Sequence, residues 1–250
     1  ILDIMSDEAK KGSNPSDGTV LNDYDNFSFT PSHNAIYGWW TTVYMGIKRA
    51  NLVLQDVPDI DMESDLKKRL LAETRFLRAY FYFTLVRAWG DVPKVTTPYP
   101  PNKMKRAPQE EIYNEIIIPD LEYAIEILPV KSDYPTASLG RATKGAAKGI
   151  LAKVYLFREN FELAEQYALE VINSGQYSLN PDYSEVFATN SEFGQGSLFE
   201  VGALAESGQA NGGNQYANTW GVRGDPNLGW GFGRPSWELI QEMQGDPRLD

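Results

Sequence analysis

The sequence predicts a mainly α fold made of helical hairpins joined by long irregular loops, with a few short strands. Three observations carry this. Apolar residues recur at helical spacing through residues 36–54, 64–89, 112–128 and 143–173. Helix-stopping residues follow two of these stretches, Pro58 after the first and Gly90 with Pro93 after the second. Residues 1–34 and 176–250 instead set aromatics among Gly, Ser, Asn, Asp and Pro, a composition that marks loops.

Taken in order, residues 1–34 read as an irregular wrapping segment with scattered aromatics at Tyr24, Phe27 and Phe29. After Pro31, the residues Ile36, Trp40, Val43, Tyr44 and Ile47 form one stripe, extended by Ala50 and Leu54. Ser64 or a neighbour is placed to cap the next helix. There Phe76, Ala79, Tyr80 and Phe83 share a face, while Leu77, Phe81 and Leu85 widen the apolar arc until little of the circumference is polar. Such a helix must be largely buried, and with its predecessor it makes an antiparallel hairpin.

Beyond a proline-rich loop (Pro98, Pro100, Pro101), residues 107–111 open a third helix, with Ile112, Ile116, Leu121, Ile125 and Leu128 apolar and a kink expected at Pro119. Two further helices span 143–158 and 161–173. The pattern Ala147, Leu151, Tyr155, a Glu-Asn turn, then Ala164, Tyr167, Ala168 resembles the packing of tetratricopeptide-type helix pairs, in which small residues let helices approach closely. Residues 197–201 read as a short strand. A Gly/Asn-rich tract fills 208–233, and Pro235-Ser236-Trp237 opens the last helix.

The formal net charge of −11 and pI near 4.7 argue against a nucleic-acid partner, whose polyanionic backbone needs a basic surface. With no cysteine and only His33, disulfides, thiolate metal sites and histidine-rich centres are excluded. Asp59-Ile60-Asp61 is too short a carboxylate signal for calcium, so no metal or cofactor is expected. No signal sequence or long apolar run is present, and no membrane span is expected. The abrupt start at Ile1 and the stop just after a Gly-Asp-Pro turn read as a segment of a longer protein.

Several spaced motifs resemble the SusD/RagB family. They are Tyr44-x2-Ile47-x2-Ala50-Asn51; Glu73-x-Arg75-Phe76-Leu77-Arg78-Ala79-Tyr80-Phe81-Tyr82-Phe83 followed by Trp89-Gly90-Asp91-Val92-Pro93; and Arg106-x-Pro108 with Tyr113 and Asp120-Leu121-Glu122-x-Ala124. The run Gly140-Arg141-Ala142-Thr143-x-Gly145-Ala146-Ala147 fits too, as do Ala164-x2-Tyr167-Ala168-x2-Val171-Ile172, Ser174-Gly175-x-Tyr177-x-Leu179 and Asp246-Pro247-Arg248. Together they cover about residues 36–250, and the combination is far more specific than any one piece. The resemblance implies a single domain over 1–250: an irregular segment (1–34), a tetratricopeptide-like scaffold (35–175) and a loop-rich, ligand-facing region (176–250). It implies a non-catalytic outer-membrane lipoprotein that faces outward, captures glycans and acts as a lid on a SusC-like TonB-dependent transporter. The chain departs from the family pattern in lacking the lipid-anchor cysteine and the usual C-terminal part.

A neutral sugar offers an apolar ring face and a rim of hydroxyls, so its binder needs aromatic platforms beside amide, carboxylate or guanidinium groups. The Gly/Asn-rich tract supplies Tyr216, Asn218, Trp220, Arg223 and Trp230, together with Asn211 and Asn214. Trp220 and Trp230 fit either a platform or a pin holding the loop to the scaffold, and Arg223 fits either a ligand contact or a pair with Asp225. Near the first helix, Asn34 and Trp39 are the candidates. Trp39 and Trp40 stand about a hundred degrees apart, and Trp40 lies on the apolar stripe, which leaves Trp39 the more exposed. His33 reads as a capping or solvent residue. A glycoside hydrolase would use a carboxylate pair, for which Glu200, Glu206, Asp225 and Glu238 are available without a recognisable catalytic context. A helical-repeat protein-interaction scaffold is the other alternative.

Overall fold

The computed structural model describes residues 2–203, 216–224 and 229–248. Strand β1 (Ala9–Gly12) and the short helix α1 (Asn22–Asp25) precede the long helices α2 (Asn34–Asp56) and α3 (Ser64–Trp89). Helix α4 (Gln109–Ile112) runs through a π turn (Tyr113–Ile117) into α5 (Ile118–Ile127), followed by α6 (Lys144–Phe157) and α7 (Phe161–Ile172). Helix α8 (Tyr216–Trp220), strand β2 (Phe232–Pro235) and α9 (Trp237–Glu242) complete the order. Contacts divide the chain into two compact units, one formed by Ala35–Val201 and the other by Ile1–Asn34 with Gly202–Asp250.

In the helical unit, α2 and α3 form the expected antiparallel hairpin. Trp39 near the start of α2 meets Trp89 at the end of α3, while farther along Asn51 accepts a 3.0 Å hydrogen bond from Arg78 Nη1. Midway, Gly46 makes room for the Phe81 ring, which would lie 2.5 Å from a Cβ at that position. The carboxylate of Glu63, rather than Ser64, caps α3 by accepting from the backbone N–H groups of Asp65 and Leu66 at 2.8 and 2.6 Å. Gly90, with φ of 66°, ends it. Phe76, Ala79, Tyr82, Phe83, Leu85 and Val86 are buried, but Leu77 and Tyr80 reach solvent, so the buried arc is narrower than the apolar sequence suggests.

Helix α3 packs on α5, α5 on α6 and α6 on α7. The break expected at Pro119 takes the form of the π turn just before it. Proline lacks an N–H and its ring crowds the carbonyl four residues back, so the backbone there changes its hydrogen-bond spacing. Thr143 caps α6 and Asn160 caps α7, through bonds from Ala146 N and Leu163 N of 3.0 and 3.2 Å. Ala147, Leu151 and Val154 of α6 and Ala164 of α7 are buried, and the rings of Tyr155 and Tyr167 stack 5.8 Å apart across the pair. A buried polar cluster ties α3 to α5: Asp120, 1% exposed, accepts from Arg75 Nη1 at 2.9 Å and from Arg78 Nε and Nη2 at 2.7 and 2.9 Å.

Residues 176–201 belong to this helical unit. The strand expected at 197–201 does not form. Instead Phe199 packs between Phe76 and Tyr80, with centroid separations of 4.9 and 6.1 Å, and the Lys131 ammonium donates to the carbonyls of Gly194 and Ser197 at 2.5 and 3.0 Å. Burial pulls the pKa of Lys131 down, while nearby Glu200 opposes that shift. With its carbonyls held by a side chain, this segment docks without a ladder partner.

The second unit is organised by the antiparallel ribbon β1–β2, in the register Ala9↔Pro235, Lys10↔Arg234 and Gly12↔Phe232. Beyond the ribbon, Ser236 N donates to Glu8 O at 2.7 Å and the Ser236 hydroxyl caps α9. Both strands lie in stretches that composition marks as loops. Tyr24 is the buried centre of residues 22–33; its ring sits 5.6 Å from Phe29 and 4.6 Å from His33, and its hydroxyl bonds to His33 Nδ1. His33 is therefore a packing partner of a buried tyrosine rather than a solvent residue. No helix among the described residues is long and apolar enough to cross a membrane.

Candidate functional site

The candidate ligand surface lies on the second unit, where α8 and the following turn fold back on β2. Gly229 N donates to Val222 O at 3.0 Å, Gly231 N to Gly221 O at 2.9 Å and Trp230 N to Asn218 O at 2.6 Å, tying residues 229–231 to residues 218–222. Gly229 is needed here because a Cβ would stand 2.2 Å from Gly221 O. Ser13 N in turn donates to Gly231 O at 2.6 Å, holding Ser13 at a positive φ of 56°. The loop is thus hydrogen-bonded to the turn that follows β1.

Arg223 sits at the centre. Its guanidinium donates to Ser13 Oγ at 2.7 Å and pairs with the carboxylate of Asp17. Two hollows flank it, both lined by Arg223 and Phe232. One, of about 440 Å³, adds Asp17 and Trp230; the other, of about 390 Å³, adds Ser13, Trp220 and Arg234. Across the two adjoining hollows the arrangement offers a planar donor fork, a carboxylate, a hydroxyl and aromatic walls, the mixture that a polyhydroxylated ring requires.

The structure brings Tyr216, Asn218, Trp220, Arg223 and Trp230 into this one loop system. Their roles divide. Trp230 is 45% exposed and Tyr216 60%, with the Tyr216 ring 5.7 Å from Trp220. Trp220 is half-buried against Gly233 and works as the pin. Arg223 pairs with Asp17; Asp225, the alternative partner that the sequence offered it, lies outside the described residues, as do Asn211, Asn214 and Glu206. Asn34 is exposed at the first position of α2. Trp39 departs from expectation: it is half-buried in the helical unit, because Trp89 fits against both Trp39 and Trp40 at centroid distances of 4.8 and 5.2 Å. The hundred-degree separation that would free one indole is filled by a third.

Among the residues lining the hollows, Asp17, Ser13 and Phe232 were not among the site residues expected from sequence. The pairing of Arg223 with residues 206 and 210 positions away had no local signal. Among the suggested carboxylates, Glu200 accepts from Phe193 N at 2.8 Å and Glu238 lies in the first turn of α9. No group of three metal-ligating side chains occurs among the described residues.

The packed helix pairs of the first unit place the chain among helical-repeat folds, and the second unit carries the loop-built candidate surface. The chain belongs to the SusD-like family: the family model described as "Starch-binding associating with outer membrane" matches residues 4–156. It is 30% identical over 231 residues to SusD-like protein P2 of Formosa agariphila, covering 87% of this chain and 45% of that protein. Over 191 residues it is 34% identical to a SusD-like protein of Bacteroides ovatus, covering 70% of this chain and 34% of that one. The chain thus spans less than half the length of these relatives. Among solved structures it resembles a laminarin-binding SusD-like protein, with a TM-score of 0.89 and 31% identity over 99% of this chain and 59% of that chain. It also resembles surface glycan-binding protein A of Bacteroides thetaiotaomicron in complex with laminarihexaose, with a TM-score of 0.80 and 25% identity over 96% and 54% of the two chains.

Proposed function

We propose that this protein captures a neutral glucan of the laminarin type at the outer face of the outer membrane and passes it, without cleaving it, to a SusC-like TonB-dependent transporter. The observation that carries the reading is Trp230, 45% exposed beside the Arg223–Asp17 pair and in the same hollow. An indole face stacks on the C–H face of a glucose ring, while guanidinium and carboxylate groups hydrogen-bond its equatorial hydroxyls. The laminarin-binding and laminarihexaose-bound structures that the chain resembles supply the choice of glucan. Membership of a family described as associating with the outer membrane supports the location, with a lipid anchor as the means of attachment. Transporter delivery and the lack of catalysis are the properties the family resemblance implies.

The test is calorimetric titration of the protein with laminarihexaose, paired with an assay for reducing ends after prolonged incubation with laminarin. Saturable binding without sugar release supports capture. Absence of binding at millimolar oligosaccharide overturns the choice of glucan, and release at enzyme-like rates overturns the non-catalytic role.

A further inference from the structure

Several stretches of this acidic chain contain no carboxylate, and two of them meet in the helical unit. Residues 34–55, nearly all of α2, hold Lys48 and Arg49 and no acid; residues 92–108 hold Lys94, Lys103, Lys105 and Arg106 and no acid, in a protein of net charge −11. The fold lays the two stretches together. Val92 and Ala107 form an antiparallel bridge that closes the base of the loop between them. Tyr44 donates to Pro93 O at 2.8 Å and Asn51 Nδ2 to Val95 O at 2.9 Å, so the loop is fastened along α2. Farther out, Lys48 Nζ stands 5.6 Å from the centroid of the Tyr99 ring. Burial and Tyr82 push the Tyr44 phenol up, while the charge of Arg106 pulls it back.

Lys94 is paired with Glu111 and Glu115, but Lys48, Lys103, Lys105 and Arg106 have no carboxylate partner among the described residues. Tyr99 is 74% exposed and sits between Pro98 and Pro100. Prolines fix φ on both sides of the ring, so the platform loses little freedom when something stacks on it. A flat, pre-set aromatic face beside the Lys48 ammonium, on a loop that also carries the unpaired Lys103, Lys105 and Arg106, suits a sugar ring that carries a negative group.

We propose that this face of α2 and the loop between Val92 and Ala107 is a separate binding site for acidic sugars. The Tyr99 ring takes the apolar face of one pyranose, and Lys48, Lys103, Lys105 and Arg106 hold its carboxylate or sulfate. All of these residues lie in the helical unit, so the site does not depend on the neutral-glucan reading of the Trp230 loop.

The test titrates the protein with oligogalacturonate and with a sulfated carrageenan oligosaccharide, which separate carboxylate from sulfate recognition, and with laminarihexaose in parallel. At least one acidic oligosaccharide is expected to bind, and to weaken about tenfold between about 0.05 M and about 0.3 M salt. Tyr99→Ala and the double variant Lys103→Glu/Lys105→Glu are each expected to weaken it at least about tenfold. Tyr99→Phe keeps the platform and should keep the affinity, and laminarihexaose binding should be unaltered in every variant. Failure of both acidic sugars to bind overturns the proposal, as does binding indifferent to these substitutions. Retention on phosphatidylglycerol vesicles without affinity for either sugar assigns the face to a membrane surface and overturns it equally.

Discussion

The indole of Trp220 rests directly on the α-carbon of Gly233: a Cβ at that position would fall 1.3 Å from the indole's six-membered ring. Gly233 also has a φ of 67°, where a side chain is strained whatever the space. Trp220 and the glycine are therefore one structural device, fixing α8 and its loop onto β2. Gly233→Ala is expected to release that indole and, with it, the hollows beside Arg223. The measurement is tryptophan emission, which should shift to the red, alongside loss of laminarihexaose affinity by at least about tenfold.

Trp230 and Trp39 separate binding from folding. Trp230→Ala should leave thermal stability nearly unchanged and weaken laminarihexaose by about 1–3 kcal/mol, since it removes an exposed stacking face. Trp39→Ala, which empties the space against Trp89, should lower stability by about 3–5 kcal/mol while the affinity of the molecules that remain folded is unaltered. Urea unfolding and calorimetry on both variants decide between the roles.

Asp120 is placed to make the helical unit fragile at one point. Asp120→Ala leaves Arg75 and Arg78 facing a buried gap where their carboxylate was, and is expected to cost about 3–5 kcal/mol in urea unfolding. Asp120→Asn, which keeps acceptor geometry but not the charge, should fall between the variant and the parent.

Alkali should unfold the protein through its buried phenols. Burial pushes Tyr82 from an ordinary 10.0 to about 12, against the pull of its hydrogen bond to Val95. The folded state keeps the proton longer than the unfolded chain, so the associated stability is whole below pH 10 and declines as the pH rises from there to about 12. Two pH units correspond to about 2.7 kcal/mol. Tyr82→Phe should be less stable at neutral pH, having lost the bond to Val95 O of 2.9 Å and the bond from Val95 N of 2.7 Å, and its stability should fall less steeply above pH 10. Urea midpoints measured at successive pH values test both halves.

The helices were legible because their information is local. Phe76, Ala79 and Phe83 share a face by spacing alone, and Thr143 and Asn160 cap helices within three residues of themselves. The ribbon was not legible, because Ala9 meets Pro235 and neither strand alternates in polarity strongly enough to reveal a partner so distant. Trp39 shows a subtler limit. Periodicity assigns residues to faces of one helix, but Trp89 on the neighbouring helix decides which faces are covered. The site was half-legible on the same grounds: composition marked the loop carrying Trp220, Arg223 and Trp230, while Asp17 and Ser13 reach it only through the fold.

The ribbon also sets an order of events as the chain leaves the ribosome. Helix pairs between Ala35 and Val201 are built from near neighbours and can fold while synthesis continues. Strand β1 is made before the helical unit but must wait until Phe232–Pro235 emerges before it has anything to pair with, and Arg223 finds Asp17 only late as well. The nascent chain therefore carries β1 unpaired while the whole helical unit is made. A ribosome that stalls short of residue 232 would release a folded helical body without the surface that holds Trp230.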